Sequence, residues 1–376
     1  MPQPVLGILT LYLNNAKQLE EQSVYRRMII EGHRMGLDVF VFTPADVHTS
    51  KEQIHALVYD PNTGKWSRKW RAFPNMIYDR CRIQRSERFQ QLLRFRSRYN
   101  HLTFLNRPLR NKWTVHQTFS QKPRFRQHLP ETLLYNSSAD LLKMLKQHQV
   151  IYLKPANGTG GRGILRIERL KGTRSVFDIQ GRRLDRRIIT PRKVSQSRLE
   201  GIVRQWCIGG RFLVQQGIPL RLSSGRFHDY RMLVQKNGNG VWELTGMAGR
   251  VGAARSVTSN LHGGGHAVRA EILLKQWLGS EEKTEKVMKT AEKLGLEAAA
   301  FLEDSFGALC ELALDLAIDR EGSIYVLEVN PKPAREVFAR SGDSSTYRKA
   351  LVRPLEYALW MYKNKTTPSS AKTTEE

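Results

Sequence analysis

Residues 151–165 read IYLKPANGTGGRGIL, a short apolar run that leads through Lys154 into a glycine-rich loop. Three glycines of the loop satisfy the G-x-G-x-x-G spacing of dinucleotide-binding loops, which requires a helix after the glycines. Here the loop runs into residues 164–167, whose alternation of apolar and polar side chains indicates a second strand. The segment therefore predicts a β-hairpin with a flexible, amide-rich loop rather than a Rossmann turn.

A glycine-rich hairpin of this kind suits the phosphates of a nucleotide. Glycines let several backbone N–H groups point into the loop and approach an anion closely. Protein kinases also cover phosphates with such a loop, but their lysine lies on a strand after the glycines, whereas Lys154 precedes them. We expect a phosphate-binding loop here, and a glycine-rich surface hairpin beside an exposed lysine is the alternative.

Residues 309–331 read LCELALDLAIDREGSIYVLEVNP and predict a second hairpin, which carries acidic residues. On its first strand Asp315 faces away from the leucines, because successive side chains of a strand point to opposite faces. A tight turn that pairs Ile318 with Ser323 would place Asp315 opposite Val326. The acidic side chains of the two strands would then share one face.

That register makes Asp315 and Glu328 diagonal neighbours, with backbones about 7–8 Å apart and Asn330 two residues beyond Glu328. Two carboxylates and an amide oxygen are hard ligands that suit Mg²⁺ bound together with substrate phosphates. A hairpin with acids on its solvent-facing side is the alternative. Because Mg²⁺ bridges the β- and γ-phosphates of a nucleotide, the two hairpins together predict a nucleotide–metal site.

The pattern of strands and helices divides the chain near residue 106. Before it, strands at residues 5–13, 37–42 and 75–79 and helices at 18–36 and 87–98 predict a small parallel α/β unit. After it, the predicted α+β elements are helices at 112–119, 138–148 and 280–301 and strands at 150–153, 164–167, 212–215, 230–235, 242–248, 309–318 and 324–329. The polar residues 363–376 are predicted to be disordered.

Composition excludes several classes of protein. The chain has 376 residues, of which 40% are hydrophobic, so a buried core is expected and wholesale disorder is excluded. No stretch approaches the about 18 uncharged apolar residues of a membrane span, and the N-terminus lacks the basic region of a signal peptide. The three cysteines, Cys81, Cys207 and Cys310, lie too far apart to suggest a disulfide framework or a zinc site, which favours the reducing cytoplasm.

The chain is strongly basic, with 61 Lys and Arg against 35 Asp and Glu and a formal net charge of +26. The excess is concentrated in residues 80–98 and 162–198, and we expect a surface that faces a polyanion. Neither region shows an aromatic-interleaved strand, a recognition helix or a zinc finger, so nucleic acid is not expected as the main partner.

Taken together, these motifs resemble those of ATP-grasp proteins, and the overall layout resembles the YheC/YheD family associated with bacterial endospore coats. The resemblance covers most of the chain, with its motifs between about residues 106 and 339. It implies a pre-ATP-grasp α/β domain at residues 1–105 and a two-subdomain ATP-grasp fold at 106–362 that clamps ATP. The lid-type subdomain would lie at about residues 138–215, before a tail at 363–376.

The resemblance also implies roles for individual residues in ATP and Mg²⁺ binding. Phosphates and adenine would contact Lys112, Lys154, Gly158, Thr159, Gly160, Gly161, Gly163, Gln215, Gln216 and Ile218. Many members of the family carry an acid at the position of Gln216. The implied Mg²⁺ ligands are Asp315, Glu328 and Asn330, and Arg231 would contact the γ-phosphate or an acyl phosphate.

One further stretch, SNLHGG at residues 259–264, is similar to a motif of the glutamate ligases that add tails to ribosomal proteins. This similarity implies that Asn260 and Arg250 lie near the transferred phosphoryl group. His262 and His266, which flank the glycines, are expected in a solvated loop rather than at a metal. The basic residues 171–198, within the lid-type subdomain, have no counterpart in the pattern.

The function that the resemblance implies is an ATP- and Mg²⁺-dependent ligase that joins an unknown carboxylate to an amine through an acyl phosphate. The alternative is a nucleotide-binding scaffold with little or no catalysis, attached through its basic face to a polyanionic spore-coat or cell-wall surface. For both functions we expect the protein in the cytoplasm, and association with spores is the alternative location.

Overall fold

The structure is a computed structural model that describes residues 2–82, 86–158, 160–173, 175–185, 187–254, 256–261 and 264–366. Three sheets organise these residues, and helices cover each sheet. Within the described ranges, no helix is both long and apolar enough to cross a membrane. The α/β and α+β fold class predicted from the sequence is confirmed.

The N-terminal sheet has the strand order β3-β4-β2-β1-β6, with β5 paired to β4. Its strands are β1 (Val5–Leu9), β2 (Asp38–Phe42), β3 (Val47–His48), β4 (Gln53–Asp60), β5 (Lys65–Ala72) and β6 (Met76–Asp79). β1 pairs in parallel with both β2 and β6, as the sequence predicts. Helix α1 (Gln22–Arg34) covers one face, and α2 (Glu87–Arg98) packs on the other.

The second sheet has the order β11-β10-β9-β8-β12-β7. It consists of β7 (Thr132–Leu134), β8 (Val150–Pro155), β9 (Ile164–Arg169), β10 (Val176–Arg182), β11 (Ile188–Ser195) and β12 (Phe212–Gln216). Helices α5 (Ser138–Gln147) and α6 (Gln196–Trp206) pack on this sheet, whereas α3 (Lys112–Ser120) and α4 (Pro123–Arg126) pack into the core of the third sheet. The basic segment 171–198 supplies β10 and β11, so it extends the sheet of the glycine hairpin by two strands.

The third sheet is antiparallel, with the order β15-β14-β13-β16-β17. It consists of β13 (His228–Lys236), β14 (Trp242–Val251), β15 (His266–Arg269), β16 (Glu311–Ile318) and β17 (Ile324–Asn330). Its helices are α7 (Ala270–Leu278), α8 (Glu281–Phe306), α9 (Glu336–Arg340) and α10 (Ser344–Thr366). The Ser280 hydroxyl accepts the Lys283 N–H at 3.3 Å and so caps the start of α8.

Helix α10 joins the two ends of the chain. Leu351, Leu355 and Ala358 of α10 belong to the same buried cluster as Tyr25 and Met28 of α1. The helix continues to Thr366 and therefore enters the segment 363–376, which the sequence predicts to be disordered. The prediction is wrong for the first residues of that segment because the helix extends through them, and residues 367–376 lie outside the described ranges.

A buried ionic cluster also ties the N-terminal sheet to the third sheet. Glu311, at the start of β16, accepts hydrogen bonds from Arg80 and Arg335 at 2.6 Å each and from the Tyr78 hydroxyl. Arg80 also binds Glu21 at 2.8 Å. Because the side chains of Arg80, Arg335 and Glu311 are at most 1% exposed, each charge depends on its partners for compensation.

Candidate active site

Two lysines come from different elements and meet at one cleft. Lys154, on β8, donates to the Gln215 side-chain oxygen at 2.8 Å and to the Leu327 carbonyl at 3.2 Å. Leu327 belongs to β17, so Lys154 bridges the second and third sheets. Lys112 opens α3, and its Nζ lies 3.1 Å from Glu328 Oε2 on β17.

The surroundings of Lys154 change its acidity. Burial and the nearby charge of Lys112 lower the pKa of Lys154 to about 8, against the opposing effect of Glu328 and Asp315. At neutral pH most of this side chain is still protonated. The nearby carboxylates balance the positive charge of Lys154 only in part, and the cleft is partly buried. Such a cation binds an anion strongly.

The acidic hairpin has a different register from the one predicted. Ile318 pairs with Ile324 rather than Ser323, because the turn is one residue longer and the Asp319 carboxylate accepts the Ser323 N–H at 2.8 Å. A bulge between Asp315 and Leu316 shifts the pairing once more. The predicted pairing of Asp315 with Val326 is therefore wrong.

The observed register brings the acids closer together than predicted. Asp315 lies directly opposite Glu328, and Ala313 lies opposite Asn330. Directly opposed residues have Cα atoms about 4.5–5.5 Å apart, which is nearer than diagonal neighbours. Strand β16 is buried along its whole length, so Asp315 does not lie on a solvent-facing side, whereas Glu328 on β17 is half-buried.

Two arginines hold the carboxylate of Asp315. Arg231, its partner on β13, donates from Nη2 to Asp315 Oδ2 at 3.0 Å, and Arg250 Nη2 lies 3.0 Å from the same oxygen. Arg250 is itself fixed by Asp229, which accepts two hydrogen bonds of 2.7 Å from its guanidinium. Burial raises the pKa of Asp315, but the two arginines outweigh it and hold the pKa at about 2, so the carboxylate is ionised.

The glycine loop approaches the segment that contains Asn260. A Cβ added to Gly161 would lie 2.2 Å from Asn260 Nδ2, so only glycine allows the loop to approach this closely. The carbonyl oxygen of Gly163 accepts the indole N–H of Trp206 on α6 at 3.0 Å, which anchors the end of the loop. Thr159 and His262 fall outside the described residues.

These groups border a cavity of about 200 Å³. Its apolar end is formed by Tyr152, Ile218, Leu220 and Phe227, and its other end is charged. Apart from Gly163 and Thr159, the predicted site residues all line it: Lys112, Lys154, Gly158, Gly160, Gly161, Gln215, Gln216, Ile218, Arg231, Arg250, Asn260, Asp315, Glu328 and Asn330. An apolar end next to a charged end matches a base joined to a phosphate chain.

A larger cavity of about 710 Å³ adjoins the first one and shares Lys112, Lys154, Arg231 and Glu328 with it. It extends toward the N-terminal sheet. His116, one of its lining residues, stacks on Trp113 at 5.7 Å, and burial together with Lys154 lowers the pKa of His116 to about 4. This imidazole is therefore neutral at physiological pH.

The donor set on the acidic hairpin fits Mg²⁺. Asp315, Glu328 and Asn330 supply two carboxylates and an amide oxygen, and Asp315 is ionised. The described residues contain no group of three or more His, Cys, Asp and Glu side chains arranged for a metal. A magnesium ion here would therefore need Asn330 and the oxygens of a bound phosphate to complete its coordination.

Sequence reasoning missed one residue that orients the site and did not predict the side-chain role of another. Asp229 binds Arg250 through both carboxylate oxygens, and its position next to His228 in HDYR carries no local signal of this role. Gln215, expected to contact adenine through its backbone, uses its side chain to hold Lys154 and donates to the Thr132 hydroxyl at 2.9 Å. Pairing of β8 with β12 is what brings Gln215 close to Lys154.

Comparison with known proteins places this arrangement in a family. The family model described as YheC/D like ATP-grasp matches residues 101–361. Two relatives from Bacillus subtilis (strain 168) are similar to the chain. Endospore coat-associated protein YheC is 24% identical over 89% of this chain and 91% of its own length. Endospore coat-associated protein YheD is 27% identical over 98% of this chain and 81% of its own length.

Solved structures share the fold at low sequence identity. D-cycloserine synthetase DcsG has a TM-score of 0.53 and 13% identity, covering 94% of this chain and 99% of its own. The D-alanine-D-alanine ligase from Coxiella burnetii has a TM-score of 0.51 and 10% identity, covering 96% of this chain and 98% of its own. The fold similarity extends over nearly the whole chain, including the N-terminal sheet.

Proposed function

The chain belongs to the YheC/D-like ATP-grasp family, and we propose that it is an ATP- and Mg²⁺-dependent ligase that joins a carboxylate to an amine. One observation carries the proposal. The cation Lys154 and the opposed acids Asp315 and Glu328 border the same cavity, and Gly158, Gly160 and Gly161 line it as well. A triphosphate with its metal is the ligand that needs a cation, an anion pair and backbone amides at one place.

The shape of the smaller cavity supports ATP as the substrate. We propose that the base lies at the apolar end beside Tyr152, Ile218 and Phe227, where Gln216 ends β12 and Ile218 follows it. The phosphates would then extend toward Lys154 and Arg231 beneath the glycine loop. The side-chain oxygen of Gln216 accepts the Glu131 N–H at 3.1 Å, so that side chain is already engaged and its role is to shape the pocket.

The proposed reaction has two steps. A carboxylate oxygen of the substrate bonds to the γ-phosphorus while the bond to the β–γ bridging oxygen breaks and ADP leaves. The amine nitrogen then bonds to the acyl carbon, inorganic phosphate leaves, and the amine loses one proton to solvent or phosphate. Mg²⁺, held by Asp315, Glu328 and Asn330, would supply charge neutralisation at the phosphates.

The chain's own residues would act by position and charge. Lys112, Lys154 and Arg231 would offset negative charge on the moving phosphoryl group, which is the largest contribution such a site makes. Arg250, held by Asp229, would keep Asp315 in place, and the Asn260 amide would donate to the phosphoryl oxygens. No protein nucleophile is needed. Burial raises the pKa of the Cys207 thiol to about 12, so it is not a reactive thiolate.

The names of similar proteins support ligase chemistry. One of the structures with this fold is named as a ligase and another as a synthetase. Neither name identifies the acid or the amine for this chain, since both structures share only the fold with it.

The proposal is tested by measuring MgATP binding and ATP-dependent phosphate release in the variants Asp315→Ala and Glu328→Ala. We expect both variants to lose at least about a hundredfold in turnover, the scale seen when one electrostatic contact to a transition state is removed. Glu321→Gln, in the exposed turn of the same hairpin, is the matched control and should retain full turnover. Undiminished binding and hydrolysis in the two alanine variants would contradict the proposal.

A non-catalytic surface-binding role is the second candidate. Arg192 and Lys193 lie exposed on β11, an edge strand of the second sheet, and two relatives are named endospore coat-associated proteins. Retention on isolated spore material in a salt gradient tests this role. Binding through exposed cations weakens steeply with salt, so retention that does not depend on salt would count against it.

A further inference from the structure

The part of the larger cavity that lies outside the nucleotide cleft is strongly cationic. Its walls that are not shared with the smaller cavity carry six Lys and Arg side chains against two glutamates, Glu20 and Glu336. The six cations are Arg82, Arg96, Arg110, Arg182, Lys332 and Arg340. They come from the N-terminal region, the segment before α3, the second sheet and the segment after β17, so four parts of the chain converge on one space.

Two of these cations share a single carboxylate. Arg96 and Lys332 both bind the single buried carboxylate of Asp79, with Arg96 Nε at 2.8 Å. Arg82 binds Glu20 at 2.6 Å and Glu21 at 3.1 Å, but Glu21 is also bound by Arg80. Arg96 and Lys332 therefore carry one positive charge more than Asp79 compensates, whereas Arg80, Arg82 and Arg335 face three glutamates, Glu20, Glu21 and Glu311.

Two arginines of this region face the cavity without a carboxylate. Arg110 lies on the segment before α3, and Arg340 is the last residue of α9. Among the residues that the structure describes, neither forms an ion pair, and both side chains are exposed. Guanidinium groups with free donors bind carboxylates through two parallel hydrogen bonds, a geometry that lysine cannot provide.

The nucleotide does not account for this charge. Its phosphates have their own cations in the shared part of the two cavities, namely Lys112, Lys154 and Arg231. Like charges collected in a concave site repel one another unless an anion offsets them, and such a site raises the local concentration of anionic ligands. The extension of the cavity is therefore built for a second anion.

We infer that this extension binds the carboxylate substrate of the proposed ligase, and that this substrate carries at least two carboxylates. One carboxylate would reach the phosphate end of the nucleotide cleft and react, while Arg110 and Arg340 hold the other. The inference rests on the proposed function for the identity of the reacting group. The chemistry is that of an oligocarboxylate, found either in a free dicarboxylic amino acid or in the side chains of an acidic peptide.

The test uses the full-length protein and fluorescein-labelled tetraglutamate as a probe, with labelled tetraglutamine as its neutral match. Binding is measured by fluorescence anisotropy with MgADP present, and unlabelled L-glutamate is added as a competitor. The test variant is the double substitution Arg110→Gln and Arg340→Gln. The control is Lys286→Gln with Lys289→Gln, which removes the same charge from exposed positions of α8 that do not line the cavity.

We expect tetraglutamate to bind more tightly than tetraglutamine, and the arginine variant to weaken that binding by about tenfold or more. The lysine control should change it by less than about twofold, because separated surface charges are screened. Displacement by L-glutamate would indicate a free dicarboxylate site, and failure to displace would indicate an extended acidic peptide; both support an oligocarboxylate. Equal weakening in the two double variants, or equal binding of the neutral probe, would overturn the inference.

A parallel titration with MgADP separates this inference from the proposed function. Because Arg110 and Arg340 lie outside the smaller cavity, ADP should bind the wild type and both double variants equally. Absence of ADP binding in the wild type would contradict the proposed function. Intact ADP binding with no preference for tetraglutamate would contradict only the oligocarboxylate substrate.

Discussion

Asp315 on β16 and Glu328 on β17 lie directly opposite each other, and the bulge after Asp315 sets that pairing. Their environments differ. Asp315 is bound by two arginines and its side chain is 10% exposed, whereas Glu328 is 24% exposed and bound by Lys112. The two acids, which we propose as metal ligands, therefore differ in what they contribute to folding.

This difference predicts unequal stability in two isosteric variants. Asp315→Asn leaves Arg231 without its carboxylate partner and Arg250 with Asp229 alone, so it should lower the free energy of unfolding by about 3–5 kcal/mol. Glu328→Gln breaks one partly exposed pair and should cost about 0–1 kcal/mol. Urea unfolding of both proteins measures the difference, and equal losses would show that the arginines do not depend on Asp315.

The lowered pKa of Lys154 predicts a pH dependence of nucleotide affinity. Above about pH 8 this lysine loses its proton, so the affinity for MgADP should fall as the pH rises from about 7 to 9. Lys154→Arg keeps the charge over that range and should remove this fall in MgADP affinity. Isothermal titration calorimetry at several pH values measures the MgADP affinity. If the affinity of the arginine variant falls over the same pH range, the group that loses its proton is not Lys154.

The same lysine should affect stability in the opposite direction. Its pKa is about 8 in the folded protein and 10.5 in the unfolded chain, so between these values the unfolded chain binds more protons. The contribution of Lys154 to the free energy of unfolding therefore rises with pH across this window. Urea unfolding of wild type and Lys154→Met at both ends of the window measures this: the free energy of unfolding of the wild type, relative to that of the variant, should be lower at pH 8 than at pH 10.5, and a relative stability that stays constant or falls would contradict it.

The close approach of the glycine loop to Asn260 predicts a selective loss of function in Gly161→Ala. The backbone φ of +70° at Gly161 would strain the loop in the variant, and the added Cβ, 2.2 Å from Asn260 Nδ2, would displace the Asn260 side chain. Gly172→Ala is a matched control, since Gly172 has a φ of +78° and an added Cβ would meet nothing within 4 Å. We expect similar small losses of stability in both variants, but a loss of ATP turnover only in Gly161→Ala. Equal turnover would mean that the contact with Asn260 has no functional role.

The buried cluster around Glu311 predicts a large loss of stability in Glu311→Gln. This carboxylate compensates Arg80 and Arg335, so its neutralisation should lower the free energy of unfolding by about 3–5 kcal/mol. Glu285→Gln, on the exposed face of α8, should change it by less than about 0.5 kcal/mol. Thermal unfolding monitored by circular dichroism provides the comparison, and similar midpoints in the two variants would show that the cluster does not hold the sheets together.

Local patterns predicted many of the elements closely. The helix expected at residues 87–98 is α2, Glu87–Arg98, and the helix expected at 112–119 is α3, Lys112–Ser120. Both depend on interactions within a few residues, such as the Asn111 side chain that accepts the Thr114 N–H at 3.0 Å. Strands β10 and β11 were not predicted, because their form depends on partners in the sheet: β10 pairs with β9, and β11 pairs with β10.

The features of the candidate site also fall into two groups: those that the sequence predicted and those that depend on the tertiary structure. The types and spacing of Lys154, Asp315, Glu328 and Asn330, with the glycines of the loop, are properties of the sequence alone, and with the resemblance they were enough to predict a nucleotide–metal site. The register of the acidic hairpin, the fixing of Arg250 by Asp229 and the cationic extension around Arg110 and Arg340 were decided by the tertiary structure. Each of these depends on a bulge, a cross-strand pairing or the convergence of distant segments, and no short stretch of sequence contains both partners of such a contact.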